Sequence, residues 1–134
     1  MTQKQAPDDL HYTAEHEWVQ KVSDRTVRIG ITDYAQDQLG DVVFVQLPAI
    51  DDVVEVGESF AEVESTKSVS DIFGPLNGVI SAVNDDLEAS PDLVNSAPYE
   101  RGWLVEITVG PDDDLDELVG DMLDAAGYVA ITSG

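Results

Sequence analysis

Lys67 is the only basic side chain between Arg28 and Arg101, in a stretch otherwise rich in aspartate and glutamate. Two strand-like runs flank it, Ser59-Phe60-Ala61-Glu62-Val63-Glu64-Ser65 and Ser68-Val69-Ser70-Asp71-Ile72-Phe73, which leaves Thr66-Lys67 to make the reversal. Asn-Gly and Asp-Gly are the favoured dipeptides of such tight hairpins, so turn propensity does not account for Thr-Lys. An amine raised on a strand-backed tip suits acylation by a ligase. The rigid hairpin would then give a flexible arm a fixed base from which to enter another protein's active site. Acylation would also remove the positive charge and leave an uncharged arm above an acidic surface. Spacing alone favours a simpler reading, a surface lysine that relieves local carboxylate repulsion.

Other chemistry is thinly represented. With no cysteine there is no disulfide, thiolate nucleophile or cysteine-ligated metal, so any sulfur redox chemistry must arrive with a cofactor. His11 and His16 are read as ordinary surface or strand-edge histidines, since no convincing third ligand accompanies them; no metal is expected. Six basic residues against 28 acidic ones give a net charge of −22, which repels phosphate backbones and anionic lipid surfaces alike. Neither nucleic acid nor membrane is expected as a partner. No apolar run approaches the roughly 20 residues that span a bilayer, and the first residues resemble neither a signal nor a transit peptide. A cytoplasmic protein is therefore expected; a monomer is the expected state. The acid recurs from Asp8 to Asp124 rather than in one tail, a whole-surface pattern like that of proteins from salt-accumulating halophiles. An acidic mesophilic protein is the alternative.

The elements that must position Lys67 are mostly strands. A length of 134 residues fits one domain, residues 1–134, with a polar N-terminal extension over 1–11. Trp18–Val22 and the alternating Val27, Ile29 and Ile31 suggest a hairpin around Ser23-Asp24. Thr32 or Asp33 can cap a short helical turn through Leu39, ended by Gly40, and Val42–Leu47 reads as a buried strand closed by Pro48. Further strands are expected at about 58–65, 68–73, 78–84 and 102–109, with one helical turn within Ser90–Asn95. Near the end the period changes. Leu115, Leu118, Val119, Met122, Leu123 and Ala126 fall on one helical stripe, Asp114 with Glu117 forms a capping box, and Gly127 stands at the stop, predicting one amphipathic helix over 112–126. The whole reads as a mainly β domain with an appended helix.

Longer motifs add a resemblance. The segment from Glu64 to Gly78, ESTKSVSDIFGPLNG, resembles the lipoylation segment of glycine cleavage H proteins, whose recurring form is E-S-x-K-x-x-S-D-x-x-x-P-x-x-G. Glu64, Ser65, Ser70, Pro75 and Gly78 supply that form around Lys67 and Asp71. His16–Val19, Gly30–Asp41, Val45–Pro48 and Asn95–Trp103 are similar to the same family in the same order, so the resemblance runs from about Tyr12 to the terminal helix.

The resemblance implies a barrel-sandwich hybrid, the lipoyl-domain-like fold, with lipoate held as an amide on Lys67. It implies a carrier rather than an enzyme. Its arm would take an aminomethyl group from a pyridoxal-phosphate glycine decarboxylase and yield it to a tetrahydrofolate-dependent aminomethyltransferase, with release of ammonia. Dihydrolipoamide dehydrogenase would reoxidise the dithiol, and a lipoate-attaching enzyme would install the arm. Glu17 and Asp71 match family positions associated with holding the cationic arm in a surface cleft; solvated surface acids are the alternative for both. Gln38 stands where some members have histidine, so no imidazole role carries over there. Asn95, Pro98, Tyr99, Gly102 and Trp103 are read mainly as fold determinants. Competing identities are a lipoyl domain of a 2-oxoacid dehydrogenase, which usually has aspartate rather than Thr66 before its lysine, and a biotin carrier, which usually has flanking methionines. A lipoyl relay or a non-carrier scaffold would fit the same sequence.

Overall fold

A computed structural model describes residues 9–132, and nine strands and five short helices are found there. Strands β1 (His11–Tyr12), β2 (Glu17–Lys21), β3 (Thr26–Ile31), β9 (Val105–Thr108), β8 (Gly78–Val83) and β5 (Val53–Val54) form a six-stranded sheet in that order. Strands β4 (Val42–Gln46), β6 (Ser59–Ser65) and β7 (Val69–Phe73) form a second sheet of three. Every ladder is antiparallel; a parallel bridge, Val56 to Gly74, lies outside the named strands. The hairpins expected around Ser23-Asp24 and Thr66-Lys67 are both present.

Alternation along the strands builds the core between the sheets. Val19, Val27, Ile29, Ile80 and Ile107 face inward from the large sheet and meet Val45, Ala61, Val63 and Ile72 from the small one. Strand β2 is buried on both faces, because Trp18, of opposite parity to Val19, enters a second apolar cluster with Leu10, Tyr12, Ala125 and Tyr128. Gly30, opposite Trp18 on β3, leaves room for the indole: a Cβ there would stand 2.6 Å from the ring. The indole N–H donates to Pro98 O at 2.8 Å, tying that cluster to the 93–103 segment.

Helix α1 (Asp33–Leu39) starts where expected, with Thr32 Oγ1 accepting from Ala35 N, and ends at Gly40, whose φ of 81° suits glycine. Helix α3 (Leu93–Ser96) answers the expected turn within 90–95, and α2 (Asp86–Ala89) is an additional turn before it. The C-terminal region departs from the single helix expected over 112–126. Helix α4 (Leu115–Gly120), capped by Asp114 as its capping box predicts, stops at Asp121, and α5 (Ala125–Thr132) follows. Between them Leu123 exchanges backbone hydrogen bonds of 2.8 and 3.0 Å with Tyr12, a β-bridge that a continuous helix would forbid. Gly127, expected at a helix stop, lies inside α5, where its N–H donates to Asp124 Oδ1 at 2.8 Å and so helps start the new helix. At the other end, Leu10 and β1 are already buried structure, so the extension expected over 1–11 is shorter in the described residues; positions 1–8 lie outside them.

Candidate functional site

The β6–β7 hairpin carries Lys67 at its tip. Glu64 pairs with Val69, and Ser65 N donates to Ser68 O at 2.8 Å, closing the reversal over Thr66-Lys67. Neither turn residue is a turn former, and Ser65 supplies what they lack. Its Oγ accepts from Lys67 N at 3.2 Å and from Ser68 N at 3.1 Å, satisfying donors that the tight turn would otherwise leave to solvent.

A second support comes from outside the hairpin, where Thr66 N donates to Asp41 O at 3.0 Å and pins the tip to the corner between α1 and β4. Asn95 fixes that corner. Its Oδ1 accepts from Val42 N at 2.9 Å, while its Nδ2 donates to Gly40 O and to Gln36 Oε1, each at 2.9 Å. The lysine stem passes close over Gly40, where an added Cβ would stand 3.1 Å from Lys67 Cε. Among the described residues the ion pairs are Lys21–Asp116 and Arg28–Glu106, so the exposed Lys67 amine is held by no carboxylate.

Beside the tip lies a cleft of about 390 Å³. Ser68, Val69, Ser70 and Ile72 form its β7 wall; Tyr34, Ala35, Gln38 and Leu39 of α1 form the facing wall, and Glu15, His16 and Ile31 complete it. Its lining is more apolar than polar, with one carboxylate at its edge. An arm attached to Lys67 would have a recess within reach along its own strand. A larger cavity of about 550 Å³, lined by Ile50, Val79 and Thr108 among others, includes no residue of the tip or of α1.

The two carboxylates expected in the arm cleft do not line it. Glu17 shares the inward parity of Val19 and is buried between the sheets, where its Oε2 accepts from Phe73 N at 2.8 Å and its Oε1 from Thr13 Oγ1 at 3.2 Å. It thereby ties β2 to the far end of the strand that leaves Lys67. Burial raises its pKa to about 7, outweighing the Phe73 and Thr13 hydrogen bonds that favour the ionised form. Asp71 is exposed and pairs with Glu62 across the outer surface of the small sheet. Glu64, half-buried, sits between Phe44 and Val69 on the same sheet. Ser70 is the motif residue that reaches the cleft, whereas Gly78 serves packing: a Cβ there would stand 2.5 Å from Ile107. Pro75 is half-buried in the turn from β7 to β8.

Several cleft residues carry no mark of their role in the sequence. His16, read as an ordinary histidine, joins the wall with its ring 4.9 Å from Tyr34. Its Nδ1 lies 2.8 Å from the hydroxyl of Tyr128, which comes from α5 and is distant in sequence. No spacing rule connects positions 16 and 128. Tyr34, immediately after Asp33 in the first turn of α1, could have been marked by its helical offset to Gln38, since residues four apart share a face.

Comparison with known proteins accords with this geometry. The family model described as glycine cleavage H-protein matches residues 10–132. A glycine cleavage system H protein of Mycobacteroides abscessus is 59% identical over 122 residues, covering 91% of this chain and 93% of that one. The corresponding protein of Mycolicibacterium smegmatis is 58% identical over 127 residues, covering 95% and 96%. The crystal structure of a glycine cleavage system H protein from Mycobacterium marinum superposes with a TM-score of 0.84 at 40% identity, covering 96% of this chain and 99% of that one, so the two-sheet arrangement is the lipoyl-domain-like one that the resemblance implied. With its lysine tip, its adjoining cleft and a match over almost every described residue, the chain belongs to the glycine cleavage H-protein family.

Proposed function

We propose that the chain is the lipoyl carrier of a glycine cleavage system, with lipoate in amide linkage to Lys67. The observation that carries this reading is the tip itself: an exposed amine paired with no carboxylate among the described residues, on a turn braced from within by Ser65 and from outside by Asp41, next to a cleft that β7 helps to line. The residues fit the group. A ligase requires a free amine held in a defined place, and a recess beside the tip can shield the end of a long acyl arm between encounters.

When bound, lipoate would supply a disulfide able to accept the aminomethyl group together with two electrons, and the dithiol left once the group is handed on would be reoxidised by the dehydrogenase. What the chain contributes is placement. Ser65, Thr66 and Asn95 hold the base of the arm, Ile31, Leu39 and Ile72 give the cleft an apolar lining, and Glu15 offers a carboxylate to an ammonium. Glu17 acts as a strut behind the cleft, linking β2 to β7. Asp71 adds negative potential on the arm-bearing strand without lining the cleft. The partners are the pyridoxal-phosphate decarboxylase, the tetrahydrofolate-dependent aminomethyltransferase, dihydrolipoamide dehydrogenase and the enzyme that attaches lipoate. The chain acts as a cytoplasmic monomer that these enzymes use as a substrate.

Reconstitution with the decarboxylase tests the reading. Lipoylated protein should support glycine-dependent exchange of the carboxyl carbon with bicarbonate. Lys67→Arg, which keeps the charge but cannot form the amide, should fold normally and give no more exchange than a reaction without carrier. Exchange by the arginine variant at the wild-type rate would contradict it.

A further inference from the structure

The backbone at His16 adopts φ 70°, a left-handed conformation that strains a side chain of this size. The strain delivers the imidazole to a specific set of partners. Its Nδ1 is 2.8 Å from Tyr128 Oη, which is 2.7 Å from Thr32 Oγ1. Thr32 is fully buried, and its Oγ1 already accepts from Ala35 N at 3.1 Å. Among the described residues Tyr128 Oη is the remaining hydrogen-bond partner of that hydroxyl, so the threonine proton goes to the tyrosine oxygen. The tyrosine then has its own proton to give, and it points to Nδ1. An imidazole that accepts at Nδ1 carries its hydrogen on Nε2 and is neutral. A cationic imidazole would place an N–H against the tyrosine proton and reverse the order of the chain.

We infer that Thr32 and Tyr128 hold His16 as a neutral Nε2–H imidazole in the cleft wall, making His16 a positioning residue that keeps positive charge out of the recess used by a cationic arm. The inference rests on the reading that an arm on Lys67 occupies this cleft. Of the groups around the ring, one opposes it and the others carry no charge toward it. Glu15 beside it in the chain favours the charged form, Tyr34 of α1 and Tyr128 of α5 are neutral, and β7 contributes the uncharged Ser68 and Ser70; Glu17, on the next residue, turns inward to Phe73. Burial outweighs Glu15 and lowers the imidazole pKa. The terminal helix thus reaches the arm site through one hydroxyl.

Tyr128→Phe removes that hydroxyl while keeping the ring that stacks on Tyr12 at 4.8 Å. Imidazole ¹⁵N–¹H spectra of the unmodified protein across pH should show His16 as the Nε2–H tautomer, titrating below free histidine. In Tyr128→Phe its titration should move upward and the tautomers should mix. An Nδ1–H tautomer in the wild type, or an unchanged titration in the variant, would overturn the inference. With the aminomethylated protein, Tyr128→Phe should hydrolyse the arm's amine about five-fold faster at neutral pH, the equivalent of one ordinary hydrogen bond. Ala35→Trp, which fills the cleft, should also speed hydrolysis. If Ala35→Trp does so and Tyr128→Phe does not, the positioning role fails while the cleft reading stands; if neither does, both fail.

Discussion

Lys67 stands out in the sequence because three local facts coincide: isolation among acids, a position between two alternating runs, and a dipeptide that no turn rule selects. Glu17 does not stand out in the same way. Its neighbours give no sign that the strand is buried on both faces, and its partner Phe73 lies on the other sheet. The burial has a measurable consequence. The pKa of Glu17 rises from an unfolded value near 4.5 to about 7 in the fold, so the folded state binds the extra proton between those values. Stability from this group is present at low pH, is lost as pH rises from about 4.5 to about 7, and changes no further above that. Glu17→Gln keeps an acceptor for Phe73 N–H, puts an amide N–H₂ that can donate to the Thr13 hydroxyl where the second carboxylate oxygen accepted from it, and removes the ionisation. Its stability relative to wild type should therefore increase by about 2 kcal/mol between pH 5 and pH 8, read from urea midpoints at each pH. A difference that does not vary with pH would show that Glu17 titrates normally.

The elements were legible where a side-chain period repeats locally and obscure where a distant partner interrupts it. The longer strands follow from local apolar patterns, the two-residue β1 and β5 offer no repeat to read, and the capping of α1 by Thr32 and of α4 by Asp114 follows from short-range chemistry. The break between α4 and α5 does not, because it depends on Tyr12 pairing with Leu123 across most of the chain. Asn95 is an intermediate case: its role as a fold determinant was readable, but its position beneath the Lys67 tip was not. Three hydrogen bonds from one side chain hold the α1–β4 corner to which Thr66 is pinned. Asn95→Ala leaves Val42 N–H without its acceptor and Gly40 C=O without this donor, and should cost about 2–4 kcal/mol. The tip should loosen before the fold is lost. Acylation of Lys67 by a lipoate ligase should be slower in Asn95→Ala at temperatures where its circular dichroism is still native. Wild-type kinetics in that variant would remove the corner from the account of the site.

For the molecule as a whole, the net charge of −22 is the dominant electrostatic fact. Like-charge repulsion weakens the folded state when screening is poor, and molar KCl shortens the Debye length to about 3 Å. The denaturation midpoint of the unmodified protein should therefore rise along a KCl series, and a matched chaotropic series separates screening from ion-specific effects. A flat or falling midpoint would contradict adaptation to high salt and leave the carrier role intact. That role rests on one covalent bond, and intact-mass analysis of protein from its native host, followed by peptide mapping of the β6–β7 hairpin, addresses it most directly. The expected result is the mass increment of a single lipoyl amide, carried on the peptide that contains Lys67 and absent from Lys67→Arg produced in the same host. A lipoyl group on any other residue, or a different acyl group on Lys67, would contradict it.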